Sequence, residues 1–267
     1  MEEDVQADIS ARLVRAEEMW ERGDLSNSKK MLGETLLKAR SNPYKVKFRT
    51  RVQLASLLAG LHLAMDEVQN ARSLISEESI FARELFQLIQ MKGTAGQKRA
   101  ATGDFVQLCD LETKISLIGG AAPEISIEKW INSEPLSLAR LRGSVVLLEF
   151  WATWCQPCEE MIPTLKRLND EYSARGLVIV ALTRHYLASQ GADEEQGKEL
   201  ELIQIYIDKH GIKFPVGIAE DEHIQDLYGA NGLPSLVLVD RQGLVRYSYG
   251  NGEDEQFKRL LNMSLSE

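Results

Sequence analysis

The sequence predicts an all-α helical-hairpin domain followed by an α/β domain whose mixed central sheet is flanked by helices. Two changes along the chain carry that reading. Up to about residue 92, apolar residues recur at three- and four-residue steps, whereas from Ala122 short apolar runs alternate with helical stretches. Charge shifts in the same region: 16 basic and 14 acidic residues up to residue 100 give +2, and 15 basic and 26 acidic residues after it give −11, for a net −9. The 267 residues are ample for two cores. An acidic second half repels phosphate backbones and anionic lipid, which argues against nucleic acid and membrane surfaces as partners. No run approaches the ~18 apolar residues of a spanning helix.

Residues 1–95 read as the helical domain. Ile9, Leu13, Ala16 and Trp20 line one helical face, and Leu54, Leu57, Leu58 and Leu61 line another. Gly23-Asp24 breaks the first helix and starts a second, and a similar pattern recurs around Asp66-Glu67. Setting Ser28 against Ala71 gives a period of 43, longer than the 34 of a tetratricopeptide repeat, so this half resembles that family only loosely. A plain helical bundle reads equally well. Glycines and polar residues around Lys92-Gly93-Thr94-Ala95-Gly96 predict a linker, and 96–118 reads as a linker or bridging segment. Cys109, beside Leu108 and Leu111, reads as a small core residue.

The second domain is expected over 119–267. Val145–Phe150 and Leu177–Leu182 are apolar runs with β-branched members, the pattern of buried strands, and a helix of about twenty residues between them makes a β-α-β unit with parallel strands. A helix follows at about Lys198–Lys209, then a short strand at Phe214–Ile218. Ser235–Asp240 and Leu244–Tyr249, joined by Arg241-Gln242-Gly243, form a hairpin pattern, and a helix over Glu253–Met263 closes the chain.

The chemistry concentrates in Trp151-Ala152-Thr153-Trp154-Cys155-Gln156-Pro157-Cys158, between the first strand and its helix. A thiol at a helix N-terminus faces unpaired N–H groups and the positive end of the dipole, which favour the thiolate. That makes Cys155 the nucleophile of a thiol–disulfide exchange, and the two-residue spacing makes Cys158 the resolving thiol. Pro157 falls in the first turn, where its missing N–H costs nothing. A zinc site would need two further ligands, and the chain has no second C-x-x-C and no H-x-x-x-H among His62, His185, His210 and His223. Peroxidatic chemistry asks for Pro and Thr seven and three residues before the nucleophile, where Leu148 and Ala152 stand. Glu149 interrupts an apolar strand; desolvation should raise its pKa and suit it to accept a proton near neutrality. Trp154 offers an apolar docking face beside the thiol, Trp151 reads equally as core, and His185 reads as a solvated loop residue.

The same residues resemble the active site of thioredoxin-fold proteins, in particular the TlpA/ResA-like thiol–disulfide oxidoreductases. The resemblance extends over about 119–265, through Ala122-Pro123-Glu124 and Pro135–Gly143, a lead-in hairpin, to Gly232-Leu233-Pro234 and Ser235–Gly243. It implies a thioredoxin fold in which Pro234 is a cis-proline facing the active-site disulfide and Leu233 presents its backbone to an extended substrate. Pro163 corresponds to a proline that kinks the active-site helix. Glu149 stands where thioredoxins carry a buried aspartate, one methylene shorter, that serves the second cysteine. Trp154, Gln156, Pro157, Leu233 and Pro234 are then the substrate-binding residues.

The expected function is reduction of protein disulfides by a redox-active Cys155–Cys158 pair, without metal or organic cofactor. Expected partners are protein dithiol or disulfide substrates, a thioredoxin-like electron donor and a protein partner recruited by the helical domain. The alternative is a redox-inactive interaction scaffold. Met1-Glu2-Glu3-Asp4 has the wrong charge to open a secretory signal, so the chain reads as cytoplasmic by default. The resemblance instead implies an extracytoplasmic, bacterial periplasmic setting if a leader has been removed.

Overall fold

The structure, a computed structural model, describes residues 4–186, 193–248 and 254–266. The chain divides into two compact units, Met1–Ile115 and Ser116–Glu267.

The first unit is helical: α1 Val5–Glu21, α2 Leu25–Ser41, α3 Phe48–Ala64, α4 Val68–Lys92 and α5 Ala95–Leu117. Helices α1 and α3 start 43 residues apart, as do α2 and α4. The turns repeat bond for bond. Asp24 N donates to Met19 O and Glu67 N to His62 O, each closing a helix C-terminus around a residue of positive φ. That residue is Gly23 (φ 81°) in the first copy and Asp66 (φ 60°) in the second, an aspartate being among the few side chains that tolerate this region. The core of the first three helices gathers Ile9, Leu13, Leu32, Leu36, Leu54 and Leu61.

The linker expected at 92–96 shrinks to Gly93-Thr94, and the segment 96–118 is almost wholly helix α5. It is fastened to α4 by stacked Phe86 and Phe105, 4.5 Å between centroids, and by an Arg83–Glu112 ion pair of 2.9 Å. Cys109 sits here half-buried rather than in a core, with burial pushing its thiol pKa up.

The second unit is built on a six-stranded sheet in the order β1-β4-β3-β2-β5-β6. Its strands are β1 Lys129–Ile131, β2 Val145–Phe150, β3 Leu177–Arg184, β4 Val216–Ala219, β5 Ser235–Val239 and β6 Val245–Tyr247. Strands β2, β3 and β4 run parallel, while β1, β5 and β6 pair antiparallel, so the sheet is mixed. Side chains alternate across it. Val145 and Leu147 face a core built with α6 Gln156–Tyr172, α7 Asp193–His210 and α9 Glu255–Ser266; Val146, Leu148 and Phe150 face a second core with α8 His223–Tyr228.

The segment before β2 is no hairpin. Its one strand, β1, pairs across to β4 and forms the edge of the sheet, and the rest folds against the Glu124 carboxylate, which accepts the N–H groups of Leu138 (2.6 Å) and Ala139 (3.0 Å). Short polar runs such as Asn132-Ser133-Glu134 interrupt any alternation a hairpin would need. Helix α8 was not expected from the sequence. Residues 187–192 of the loop after β3, Tyr249 of the expected hairpin strand and Glu253 of the expected last helix lie outside the described residues.

Candidate active site

Strand β2 ends at Phe150 still in the interior, and Trp151 and Ala152 are also buried when the chain turns into α6. Cys155 is the N-cap of that helix. Its Sγ accepts the N–H of Cys158 at 3.3 Å, one of the donors that a helix start leaves without an intrahelical partner. Cys155 and Cys158 are joined in a disulfide, S–S 2.06 Å. Pro157 occupies the first turn and Pro163 lies inside the helix. The exposed Gln156 amide donates to Glu160 Oε1 at 3.2 Å.

Glu149 lies one step before the end of β2, between Ala181 of β3 and Leu236 of β5. Strand parity turns it to the same face as Val145 and Leu147, the face whose core contains both cysteines. It is 3% exposed, and among the described residues no Lys, Arg or His nitrogen lies within 4 Å of its carboxylate. Desolvation therefore acts unopposed and pushes its pKa up to about 8. Its charge is felt by Tyr186 and Tyr206, whose pKa values burial has already raised, that of Tyr206 to about 12.

Around the disulfide lies an exposed lip. Trp154 is 60% exposed and Gln156 and Pro157 are open to solvent, whereas Trp151 is buried and stacks on Tyr206 with 4.8 Å between centroids. Trp151 is therefore core. The Leu233–Pro234 peptide is cis and immediately precedes Ser235, which pairs with Phe150 at the end of β2. Both residues are half-buried, and Leu233 packs against the cores on both faces of the sheet. The fold thus brings Glu149, the start of α6 with its cysteine pair, and Leu233-Pro234 to the same end of the sheet, where β2 finishes and β5 begins.

Other residues complete the lip without having been singled out in the sequence. The Tyr186 ring meets Trp154 edge-on at 5.4 Å, lies under the Arg184 guanidinium at 4.3 Å and accepts a hydrogen bond from the Gln225 amide. Gln225 in turn accepts from Arg184 Nε at 2.7 Å. Position just past the C-terminal end of a parallel strand was the available signal for Tyr186; nothing in the sequence marked Tyr206. His185, expected in solvent, is buried with Nδ1 3.5 Å from Glu199 Oε2, because α7 folds over the start of the loop. Among the described residues no group of three or more His, Cys, Asp or Glu is placed to hold a metal.

Comparison with known proteins agrees with this geometry. The model of the AhpC/TSA family matches residues 118–248. The chain is similar to the thiol-disulfide oxidoreductase ResA of Bacillus thuringiensis (strain Al Hakam), 32% identical over 145 residues that cover 54% of this chain and 76% of the relative. The chain belongs to the ResA-like thiol-disulfide oxidoreductases. A ResA of Halalkalibacterium halodurans is 31% identical over 127 residues, 47% of this chain and 65% of that one. A solved thiol-disulfide isomerase from Corynebacterium glutamicum aligns with a TM-score of 0.46 at 26% identity, over 55% of this chain and 97% of its own. The family and the mixed-sheet fold place the ResA-like domain among thiol–disulfide oxidoreductases of thioredoxin type. No described helix is long and apolar enough to cross a membrane.

Proposed function

We propose that the ResA-like domain reduces disulfides in protein substrates and that the helical unit holds a protein partner. In the reduced enzyme the Cys155 thiolate attacks one sulfur of a substrate disulfide, forming a mixed disulfide and releasing the other sulfur as a thiolate that takes up a proton. The deprotonated fraction of Glu149, which grows as pH approaches 8, accepts the proton of the Cys158 thiol. The Cys158 thiolate then attacks Cys155 Sγ, which breaks the mixed disulfide, expels the second substrate sulfur as a thiolate that takes up the proton held by Glu149, and leaves Cys155–Cys158 oxidised. A thioredoxin-like dithiol returns two electrons and two protons, so no metal or organic cofactor takes part.

The observation that carries this reading is the cysteine pair at the N-terminus of α6, with an uncompensated buried carboxyl on the same face of the sheet. Trp154, Gln156 and Pro157 supply an exposed docking lip, and Leu233 and Pro234 supply backbone for an extended substrate.

Cys155→Ser should abolish reduction of insulin disulfides, and unchanged turnover would overturn the assignment. The direction of electron flow is read by equilibrating the couple in graded thiol buffers. A potential near −270 mV, about that of thioredoxin, supports a reductase, whereas one near −120 mV, about that of DsbA, marks an oxidase.

A further inference from the structure

The helical unit contains a cleft of about 880 Å³, walled by the start of α3, the end of α4 and one face of α5. Its floor is apolar: buried Phe48 and Ala101, with half-buried Leu88 and Ile89. Helix α5 turns Gln97, Ala100, Ala101 and Asp104 toward it, positions at helical spacing, and the small side chains among them keep it open. Its rim carries four cations, Lys47, Arg49, Lys92 and Arg99, against the single carboxylate of Asp104. Arg49 faces Asp104 electrostatically; among the described residues no carboxylate lies within 4 Å of Lys47, Lys92 or Arg99.

In a chain of net charge −9 this is a local excess of positive charge around an apolar trough. The combination specifies an occupant. Apolar side chains bury against Phe48, Leu88 and Ile89, while carboxylates on the same ligand meet the rim. A single-headed amphiphile brings one anionic group, which leaves most of the rim uncompensated. Several carboxylates interleaved with aliphatic or aromatic side chains match it, which is the pattern of an acidic amphipathic peptide lying in a groove. We infer that this cleft between α3, α4 and α5 binds an acidic, apolar-anchored peptide segment of a partner protein. The inference rests on the proposed role of the helical unit and gives that partner its chemistry.

The test is selection from a display library of random twelve-residue peptides on the immobilised full-length chain carrying Cys155→Ser and Cys158→Ser. The absence of active-site thiols prevents covalent capture. Enriched peptides are then synthesised with fluorescein and titrated by anisotropy against the same chain, a Lys92→Glu/Arg99→Glu variant and an Ala100→Trp variant that fills the cleft from an exposed position. The expected result is enrichment of peptides with at least three Asp or Glu and two large apolar residues. Their affinity should fall at least tenfold in each variant, and should weaken on going from 50 to 500 mM NaCl as screening removes the rim's attraction. In the background with both cysteines intact, the same cleft variants should reduce insulin within twofold of the parent.

No enrichment, enrichment of neutral or basic peptides, or affinity indifferent to both variants overturns the inference. So does cleft-dependent binding of phosphatidylglycerol vesicles or oleate without peptide binding, which would make the occupant a lipid. Because peptide binding needs no thiol, failure here is separable from failure of the Cys155→Ser experiment.

Discussion

Substituting Glu149 by glutamine removes the ionisable group of β2 while keeping its shape, and the consequence follows from burial. The carboxyl titrates ordinarily near 4.5 and in the fold near 8. Between those values the folded protein holds a proton that the unfolded chain has released, so stability falls as pH rises, by about 1.36 kcal/mol per pH unit. The contribution is fully present below pH 4.5, has cost about 3 kcal/mol by pH 7, and levels off at about 5 kcal/mol once pH passes 8. Glutamine has no such titration. Relative to its value at pH 4.5, the stability difference between Glu149→Gln and the parent should therefore grow in favour of the variant by about 3 kcal/mol at pH 7 and about 4 kcal/mol at pH 9. Urea unfolding of the oxidised protein at these three pH values measures it, with Trp130, Trp151 and Trp154 reporting on the second unit. The same variant should lose about a hundredfold in insulin reduction at pH 7, the low end of the roughly 10²–10⁴-fold that positioned acid–base groups contribute. A more stable, slower enzyme is the signature of a buried proton carrier. A stability difference that stays flat from pH 4.5 to 9 would refute the burial argument, and an undiminished rate would refute the proton transfer.

Three further substitutions test the scaffold around these features. Glu124→Ala strips the acceptor from the Leu138 and Ala139 N–H groups and should cost about 1–3 kcal/mol in urea unfolding of the second unit. Glu78→Ala leaves Arg51, 4% exposed and held to Glu78 Oε2 at 3.0 Å, as an uncompensated buried cation, and should destabilise the helical unit by about 3–5 kcal/mol; Glu78→Ala combined with Arg51→Met should recover much of that loss. Tyr186→Ala removes the ring that meets the Trp154 edge, a contact of about 0.5–1.5 kcal/mol, and should raise KM for insulin severalfold while leaving reduction of a small aromatic disulfide unchanged.

How far the helical half could be read from its sequence depended on what each helix presents. The 43-residue offset was legible because each repeat ends in a turn chemistry that leaves a local mark, Gly23-Asp24 in one and Asp66-Glu67 in the other, and because Ser28 and Ala71 are small where helices press together. The Ser28 hydroxyl donating to Ala16 O at 2.7 Å shows how close that approach is. Helix α5 left no such mark. Gly96 and Gly103 lower its intrinsic helicity, and its first half buries only Ala101, the apolar Leu108, Leu111 and Ile115 coming in its last turns. What holds it is non-local, the Phe86–Phe105 stack and the Arg83–Glu112 pair, and a contact across 19 or 29 residues has no signature at either end.

The same division between local and non-local runs through the candidate site. Glu149, Cys155, Gln156, Pro157 and Cys158 belong to one strand-turn-helix passage. Strand parity, the N-cap position and the first-turn proline are all set by spacing along that passage, so its geometry follows once the strand is recognised. The elevated pKa of Glu149 is the exception in that strand-turn-helix stretch: Leu148 and Phe150 face the other side of the sheet, and its desolvation comes from the core that Val145 and Leu147 share with α6, α7 and α9. Tyr186, Tyr206, His185 and Gln225 are different. Each is brought in by the far end of β3 or by a helix packed later in the chain, and their importance lies in whom they meet: Trp154, Trp151, Glu199 and Arg184. A histidine after a strand reads as solvated until α7 lays a buried glutamate beside it. The candidate reaction centre is thus written in neighbouring residues, whereas the lip around it is assembled from pieces that only the folded sheet brings together.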